Sequence, residues 1–364
     1  MILCSNPSEQ FKSYQSEIEL AITAVIRSSS YILGEQVSLL EKEFADYIGT
    51  SSSVGVANGT DAIEIALRAL NVGFGDEVIT VSHTAVATIA AIEASGAKAV
   101  LVDIDPKFYT LNPNHLEEVL TKKTKAIIAV HLYGNAVDLD PILSFCETNQ
   151  LFLIEDVSQA HGAKYKGRRL GSIGDIGCFS CYPTKNLGAI GDAGLVTTNN
   201  LDLAEKVRMI REYGWQNRTS ILQGRNSRLD EIQAAILRIK LKYLDTDNQK
   251  RRNTAKFYYE KLSLLPIVLP KIHEDVEPVF HLFVIQVAKQ KKLISFLKKK
   301  GIIAGIHYPL PVHLHPAYKG RVVHSEDMSV TESIVNKVIS LPIYPELSNS
   351  DSNLIVNALG EFFK

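Results

Sequence analysis

The stretch that decides the fold runs from Gly177 to Gly194 and has the sequence Gly-Cys-Phe-Ser-Cys-Tyr-Pro-Thr-Lys-Asn-Leu-Gly-Ala-Ile-Gly-Asp-Ala-Gly. Its first part, Cys178 to Tyr182, is apolar and predicts a buried strand that ends at Pro183. The glycines after Lys185 leave space around the lysine for a flat group. An amine held in a pocket with no carboxylate beside it in sequence loses its proton more easily than a solvated lysine, so Lys185 is a candidate for imine formation with an aldehyde. The alternative is an ordinary surface lysine in a glycine loop.

A second apolar run, Leu151 to Ile154, leads into Glu155 and Asp156. Open α/β sheets bind ligands at the carboxyl ends of their strands, so we expect Asp156 to face a ligand. A carboxylate at this place would keep a pyridine nitrogen protonated, as pyridoxal phosphate (PLP) chemistry requires. The alternative is a helix cap or a solvent contact at the end of a strand.

The turn Asn58-Gly59-Thr60-Asp61 precedes a segment with apolar residues at helical spacing. The free N–H groups of a helix N-terminus, together with the Thr60 hydroxyl, form a natural phosphate site. A plain capped helix is the alternative, since Asn, Thr and Asp are all common caps.

The rest of the pattern predicts an α/β fold. Apolar strands at 77–81, 99–102 and 125–130 alternate with helical stretches such as 85–95 and 114–120, which indicates a mostly parallel sheet flanked by helices. From about residue 250 the pattern changes to a strand at 280–287 and a helix at 291–300. We therefore expect a large α/β domain over residues 1–244 and a small C-terminal α+β lobe over 245–364. The Gly171 to Gly177 segment lacks the spacing of a dinucleotide fingerprint, which argues against nicotinamide cofactors.

Composition excludes several partner classes. The chain has 364 residues, with 39 Lys and Arg against 40 Asp and Glu, so its net charge of −1 gives no reason to expect nucleic acid or an anionic membrane. No apolar run approaches the roughly 20 residues of a transmembrane helix, and the start of the chain shows no signal peptide, so the expected location is the cytoplasm. Cys178 and Cys181 form a lone Cys-x-x-Cys pair, which predicts buried free thiols and no metal site.

These motifs together resemble the DegT/DnrJ/EryC1/StrS family of nucleotide-sugar aminotransferases. The resemblance implies the fold type I of PLP-dependent transferases, and it extends from about Gly34 to the C-terminus. The matching segments are Glu155-Asp156, Gln159-Ala160-His161-Gly162-Ala163, Gly174-Asp175, Phe179-Ser180, Lys185-Asn186-Leu187-Gly188 and Gly191-Asp192-Ala193-Gly194.

The resemblance implies a role for each cofactor-binding residue. Lys185 would bind PLP covalently and then act as the general acid and base, while Asp156 supports the pyridinium and Gln159 lies along the ring. It also implies a homodimer with composite active sites, in which Asn226 of the partner subunit reaches the phosphate. The other phosphate ligands of this set are Gly59, Thr60 and Ser180.

One position departs from the family pattern. Many relatives have an aromatic residue two positions after His83, where this chain has Ala85, so stacking on that face of the ring is in doubt. His83 is the candidate to replace it.

The implied reaction transfers an amino group from glutamate to a nucleotide-linked keto-sugar. The sequences around Gln159 and from His307 to Pro311 resemble the branch of the family that aminates C3. This resemblance predicts a 3-keto-6-deoxyhexose on dTDP or UDP as the substrate. The product would serve amino-sugar biosynthesis, such as that of lipopolysaccharide O-antigen. The candidate sugar-binding residues are Tyr182, His307, Tyr308 and His313.

Three alternatives remain at this point: a 4-keto-sugar aminotransferase, a PLP-dependent deoxysugar dehydration and a PLP-binding regulatory protein. The dehydratase branch replaces the lysine by histidine, so Lys185 argues against it.

Overall fold

The structure is a computed structural model that describes residues 1–364. The α-helices are α1 (Pro7–Ser13), α2 (Gln15–Ser28), α3 (Glu35–Ile48), α4 (Gly59–Ala69), α5 (Val86–Ser95), α6 (Leu116–Val119), α7 (Leu139–Asn149), α8 (Leu201–Ile210), α9 (Glu231–Leu262), α10 (Gln290–Lys299), α11 (Ser329–Ile334) and α12 (Asn349–Phe362). The strands are β1 (Ser52–Val56), β2 (Glu77–Val81), β3 (Lys98–Val102), β4 (Thr124–Val130), β5 (Phe152–Asp156), β6 (Lys164–Tyr165), β7 (Arg168–Arg169), β8 (Ile176–Ser180), β9 (Gly194–Thr198), β10 (Trp215–Gln216), β11 (Thr219–Ser220), β12 (Val276–Glu277), β13 (Phe283–Gln286), β14 (Val323–His324) and β15 (Val338–Leu341).

The central sheet confirms the α/β fold class. It has eight strands in the order β1-β9-β8-β5-β4-β2-β3-β14. All pairs from β8 to β14 are parallel, and β9 is antiparallel to both of its neighbours. The strands are buried apolar runs, as expected where helices cover both faces of a parallel sheet.

The strand that carries the opening stretch is shorter than the sequence predicts. Strand β8 ends at Ser180, and the prediction that it continues to Tyr182 was wrong. The chain turns there because the N–H of Cys181 donates to the carbonyl of Ala193 and its carbonyl accepts from the N–H of Ala189, each at 2.8 Å. Cys178 and Cys181 are buried free thiols, as predicted.

Two apolar cores support the fold. The larger contains 74 buried residues and fills the space around the central sheet, whereas the smaller contains 19 and lies around β13, β15, α10 and α12. Helix α9 is 32 residues long and continues through position 244, and β14 from the C-terminal part pairs with β3. The division at 244/245 therefore stays a prediction. None of the helices combines the length and the apolar character that a membrane-spanning segment requires.

This topology places the candidate residues at one edge of the sheet. Strands β5 and β8 are parallel neighbours with Asp156 opposite Cys178, so both strands end at the same edge. Helix α4 begins beside this edge, since a Cβ atom at Gly59 would lie 2.4 Å from the Cβ of Ser180. The structure thus brings a helix N-terminus and two strand ends together.

Candidate active site

A cavity of about 640 Å³ opens at the carboxyl edge of the central sheet. It contains most of the residues that the sequence analysis selects, although these come from separate parts of the chain. The selected residues that line it are Gly59, Thr60, Asp156, Gln159, Ser180, Tyr182, Lys185, His307 and Tyr308.

Lys185 lies in the turn that follows β8. Its backbone N–H donates to the carbonyl of Tyr182 at 2.8 Å, which fixes the start of the turn after Pro183. Burial lowers the pKa of the Lys185 amine to about 8, while the nearby carboxylate of Asp156 acts in the opposite direction. A substantial share of the amine is therefore neutral near physiological pH, as a nucleophile requires.

Asp156 is held in one orientation at the end of β5. Its Oδ2 accepts a hydrogen bond from the hydroxyl of Thr88 at 3.0 Å, and its Oδ1 accepts from the N–H of Ser158 at 3.2 Å. The side chain is buried yet contributes to the cavity wall. Because each carboxylate oxygen can accept more than one hydrogen bond, Asp156 retains free lone pairs for a cationic partner in the cavity.

The N-terminus of α4 forms an anion cradle. Asn58 caps the helix by accepting from the N–H of Asp61 at 2.8 Å, and the two preceding N–H groups, of Gly59 and Thr60, are the first of the helix. Only glycine fits at position 59, since a Cβ would collide with Ser180. The Ser180 and Thr60 hydroxyls add donors at the same place.

These groups fit PLP. The cavity offers an amine of lowered pKa, a fixed carboxylate and a helix N-terminus with two hydroxyls, which match the aldehyde, the ring nitrogen and the phosphate of the cofactor.

A hydrogen-bonded wall connects the sheet to the C-terminal part of the chain. Gln159 accepts from the N–H of Tyr133 at 2.9 Å and donates to the hydroxyl of Tyr308 at 2.9 Å. The hydroxyl of Tyr133 donates to the carbonyl of His307. Gln159 is thus held across the cavity wall by both of its amide atoms.

His83 lies behind the cavity and does not line it. Its Nε2 is 2.6 Å from the hydroxyl of Tyr133, and burial lowers its pKa to about 3, so the ring is neutral. Ala85, by contrast, does line the cavity. Its methyl group covers less of a cofactor ring than an aromatic side chain would, and the structure does not bring His83 into that space.

Two further predicted residues lie outside the cavity lining. His313 is buried, with Nδ1 2.7 Å from the hydroxyl of Ser82 and Nε2 3.1 Å from Glu332, so both ring nitrogens are engaged. Asn226 is exposed on the loop before α9, where its backbone pairs with Glu212.

The cavity wall also contains residues that sequence reasoning missed, among them Thr88, His131 and His281. His131 directly follows β4, so the rule that selected Asp156 would have selected it as well. Thr88 lies inside α5 and His281 lies in an irregular segment before β13. Nothing in the local sequence of Thr88 or His281 indicates a place in the cavity, because long-range contacts bring these two residues there.

Comparison with known proteins gives a consistent result. The family model of the DegT/DnrJ/EryC1/StrS aminotransferases matches residues 12–360. A dTDP-3-amino-3,6-dideoxy-alpha-D-galactopyranose transaminase of Aneurinibacillus thermoaerophilus is 45% identical over 350 residues, which are 96% of this chain and 96% of that protein.

Two solved structures extend this similarity to three dimensions. A ketimine complex of DesV from S. venezuelae superimposes with a TM-score of 0.97 at 41% identity, covering 100% of this chain and 98% of that one. A Bacillus subtilis protein, NtdA, with bound cofactor PMP superimposes with a TM-score of 0.90 at 31% identity, covering 96% and 82% of the two chains. The prediction of PLP as the cofactor is confirmed. The chain is therefore a PLP-dependent aminotransferase and belongs to the DegT/DnrJ/EryC1/StrS family.

Proposed function

We propose that the protein transfers an amino group from glutamate to a 3-keto-6-deoxyhexose linked to dTDP or UDP, giving the 3-amino sugar. The observation that carries the proposal is the partly buried Lys185, whose amine has a lowered pKa, in one cavity with the fixed carboxylate of Asp156. The name of the Aneurinibacillus relative, which is a transaminase of a dTDP-3-amino sugar, supports this class of substrate.

The bound PLP supplies an electron sink and carries the amino group between the two substrates. Lys185 holds PLP and, when its amine is free, moves a proton at the reacting carbon as general base and acid. Asp156 keeps the ring nitrogen protonated, and its bonds to Thr88 and Ser158 prevent it from turning away. Gly59, Thr60 and Ser180 hold the phosphate.

The sugar is held by His307, Tyr308 and Tyr182. The Nδ1 of His307 is 2.8 Å from the hydroxyl of Ser340, and burial lowers its pKa to about 4, so it meets the sugar as a neutral imidazole. Tyr308 accepts from Gln159 and keeps its hydroxyl proton for the substrate. A ketone at C3 reaches the cofactor only if the hexose is turned in the cavity, and fixed donors can select that orientation.

His313 contributes to sugar binding indirectly in this proposal. Its contact with Ser82 and the bond from the N–H of Val312 to the carbonyl of Ser82 attach the segment after Tyr308 to the end of β2, and its contact with Glu332 attaches it to α11. It therefore positions the segment that carries the sugar-binding groups.

The active unit is a cytoplasmic homodimer in which Asn226 of the partner subunit completes the phosphate site. Two observations support a subunit contact there: Asn226 is exposed, and apolar side chains on the same loop are exposed as well, with Trp215 at 36%, Ile221 at 51% and Leu222 at 39%. The product serves amino-sugar biosynthesis, such as that of lipopolysaccharide O-antigen.

The test is to incubate the protein with PLP, glutamate and paired dTDP-linked and UDP-linked 3-keto and 4-keto sugars, and to identify the product by NMR. We expect an amine-bearing carbon at C3. An amine at C4, with unreactive 3-keto sugars, would overturn the substrate assignment and leave the aminotransferase chemistry intact.

A further inference from the structure

Lys240 is the only buried lysine of the chain. It lies within α9, and 2% of its surface is exposed. It does not line the active-site cavity, and the proposed reaction gives it no role. Burial lowers the pKa of its amine to about 8, while the negative charges of Asp247 and Glu346 act in the opposite direction. Burying an amine without an ion pair is unfavourable, so the remaining contacts of Lys240 must compensate that cost.

Two contacts engage the Lys240 amine. Its Nζ donates a hydrogen bond to the carbonyl of Gly188 at 2.5 Å. The same Nζ lies 4.6 Å from the centroid of the Phe11 ring, within the range of a cation–π interaction. The amine therefore joins α9 to the turn that follows β8 on one side and to α1 on the other.

Gly188 ends the turn that contains Lys185. The N–H of Ala189 donates to the carbonyl of Cys181 at 2.8 Å, which closes the turn. A Cβ atom at position 188 would lie 2.5 Å from the carbonyl oxygen of Pro183, so the two ends of the turn are in close contact. A bond that fixes the carbonyl of Gly188 therefore also fixes the backbone from which Lys185 extends.

Helix α9 contacts this segment at three points. The Oε1 of Gln233 accepts from the N–H of Ile190 at 3.0 Å, and the Oδ1 of Asn248 accepts from the Nδ2 of Asn186 at 2.8 Å. Lys240 lies between them on α9, about two helical turns from each, so the three side chains share one face of the helix. Lys240 supplies the central contact.

We propose that Lys240 is a positioning residue for Lys185: its hydrogen bond to the carbonyl of Gly188 holds the turn in the place from which the Lys185 amine reaches PLP. The proposal rests on the proposed role of Lys185 in holding PLP. Lys240 does not line the cavity, so it acts only through the turn. Phe11 contributes by covering the Lys240 amine on the side away from Gly188.

This role separates two contributions to PLP binding. The Asp156 carboxylate and the N-terminus of α4 bind the ring nitrogen and the phosphate whether or not a lysine is present. The covalent bond adds to this affinity only when the Lys185 amine reaches the aldehyde. Loss of the Lys240 contact should therefore weaken PLP binding only in a chain that has Lys185, which a double-mutant cycle can measure.

The test variant is Lys240→Met, which removes the donor and keeps an unbranched side chain of similar length. An apolar side chain in place of a buried amine is not expected to lower the melting temperature greatly. Lys242→Met is the matched control, because Lys242 is an exposed lysine two positions further along the same helix. Each variant is made in the wild-type chain and in Lys185→Ala.

Equilibrium dialysis with PLP gives the Kd of each full-length chain. We expect Lys240→Met to raise the Kd about tenfold when Lys185 is present and to change it less than about twofold in the Lys185→Ala chain. Lys242→Met should change neither value. The fraction of bound PLP that borohydride fixes to Lys185 should fall in Lys240→Met as well.

An equal loss of PLP affinity with and without Lys185 would overturn the proposal, since it would show general damage to the cavity. An unchanged Kd in both chains would overturn it too. If Lys240→Met does not fold, Phe11→Leu decides: it should raise the Kd about threefold only when Lys185 is present, and the same two outcomes would count against the proposal. Borohydride labelling of the wild-type holoenzyme at a lysine other than Lys185 would refute the proposed function instead, so the two failures are distinguishable.

Discussion

The two sides of the active-site cavity are built differently. The side at the sheet edge contains Asp156, Ser180 and Lys185 at or just after strand ends and Gly59 at a helix start, each placed by its neighbours in sequence. The opposite side contains His281, His307 and Tyr308, which reach the cavity through contacts with residues more than 90 positions away. Local sequence therefore specifies the cofactor chemistry, whereas tertiary packing specifies the side that we assign to the sugar.

The largest effect expected is at the sheet-edge side. Lys185→Ala should lower transamination by roughly 10⁴-fold or more, because both the covalent bond to PLP and the proton transfer are lost. PLP should still bind, since the Asp156 carboxylate and the residues that hold the phosphate of PLP remain. Turnover assays and equilibrium dialysis with PLP measure the two results separately.

The control for that variant is borohydride reduction of the wild-type holoenzyme followed by peptide mapping. A label on Lys164 or Lys166 would contradict the assignment, because both lie on the β6–β7 hairpin, away from the cavity.

Asp156→Asn should fold normally and lower turnover by about 10³-fold, since a neutral amide cannot keep the pyridine nitrogen protonated and a charge-assisted hydrogen bond is lost. The absorbance spectrum of the bound cofactor checks the protonation directly. Near-normal turnover would remove the carboxylate from the mechanism. Thr88→Val is the matched variant: it keeps the charge but removes one bond to it, so its loss should be much smaller.

Asn226→Ala tests whether a second subunit contributes to the sheet-edge side. Alone it should lower turnover by about tenfold through the loss of one phosphate contact. An equal mixture of Asn226→Ala and Lys185→Ala subunits should have about one quarter as many intact active sites as the wild type. Half of the random dimers would contain one subunit of each kind, and each of these would have one intact composite site out of two. Subunit exchange followed by an activity assay measures this recovery, and an active monomer would exclude the arrangement.

The opposite side should tolerate change better. Tyr308→Phe removes the acceptor for Gln159 and the donor proposed for the sugar, and should raise KM for the nucleotide sugar by about fivefold while leaving KM for glutamate unchanged. His313→Gln should act through packing, so we expect a lower melting temperature with a smaller change in KM. Equal effects on both KM values in Tyr308→Phe would contradict a specific contact with the sugar.

The same division explains what the sequence could predict. Strand and helix periodicity predicted the parallel sheet, and the strand-end rule placed Asp156 correctly beside Lys185 in the cavity. The sequence could not show that His307 lines the cavity and His313 does not, because both belong to one aromatic and proline-rich segment.

The same limit applies to His83 and His281. Whether a histidine is engaged or free depends on partners such as Tyr133 and Asn186, which are about 50 or more positions distant. The end of β8 was missed for a related reason, because the bonds to Ala193 and Ala189 that turn the chain at Cys181 leave no local signal.

The smallest effect concerns His83, which lies behind the cavity and contacts Tyr133. Burial lowers its pKa from 6.5 to about 3 in the folded protein, so between these values the unfolded chain binds a proton that the native state does not. The contribution of neutral, buried His83 to the free energy of unfolding is therefore fully present above pH 6.5, and it is lost as the pH falls toward 3. Burial also lowers the pKa of His161 to about 3.

Replacing His83 by Gln should reduce the slope of unfolding free energy against pH by up to about 1.4 kcal/mol per pH unit between pH 4.5 and 6. Urea unfolding across this range measures the slope, with His324→Gln, at an exposed histidine, as the matched control. Equal slopes for the His83 and His324 variants would show that burial of His83 does not cause the acid sensitivity.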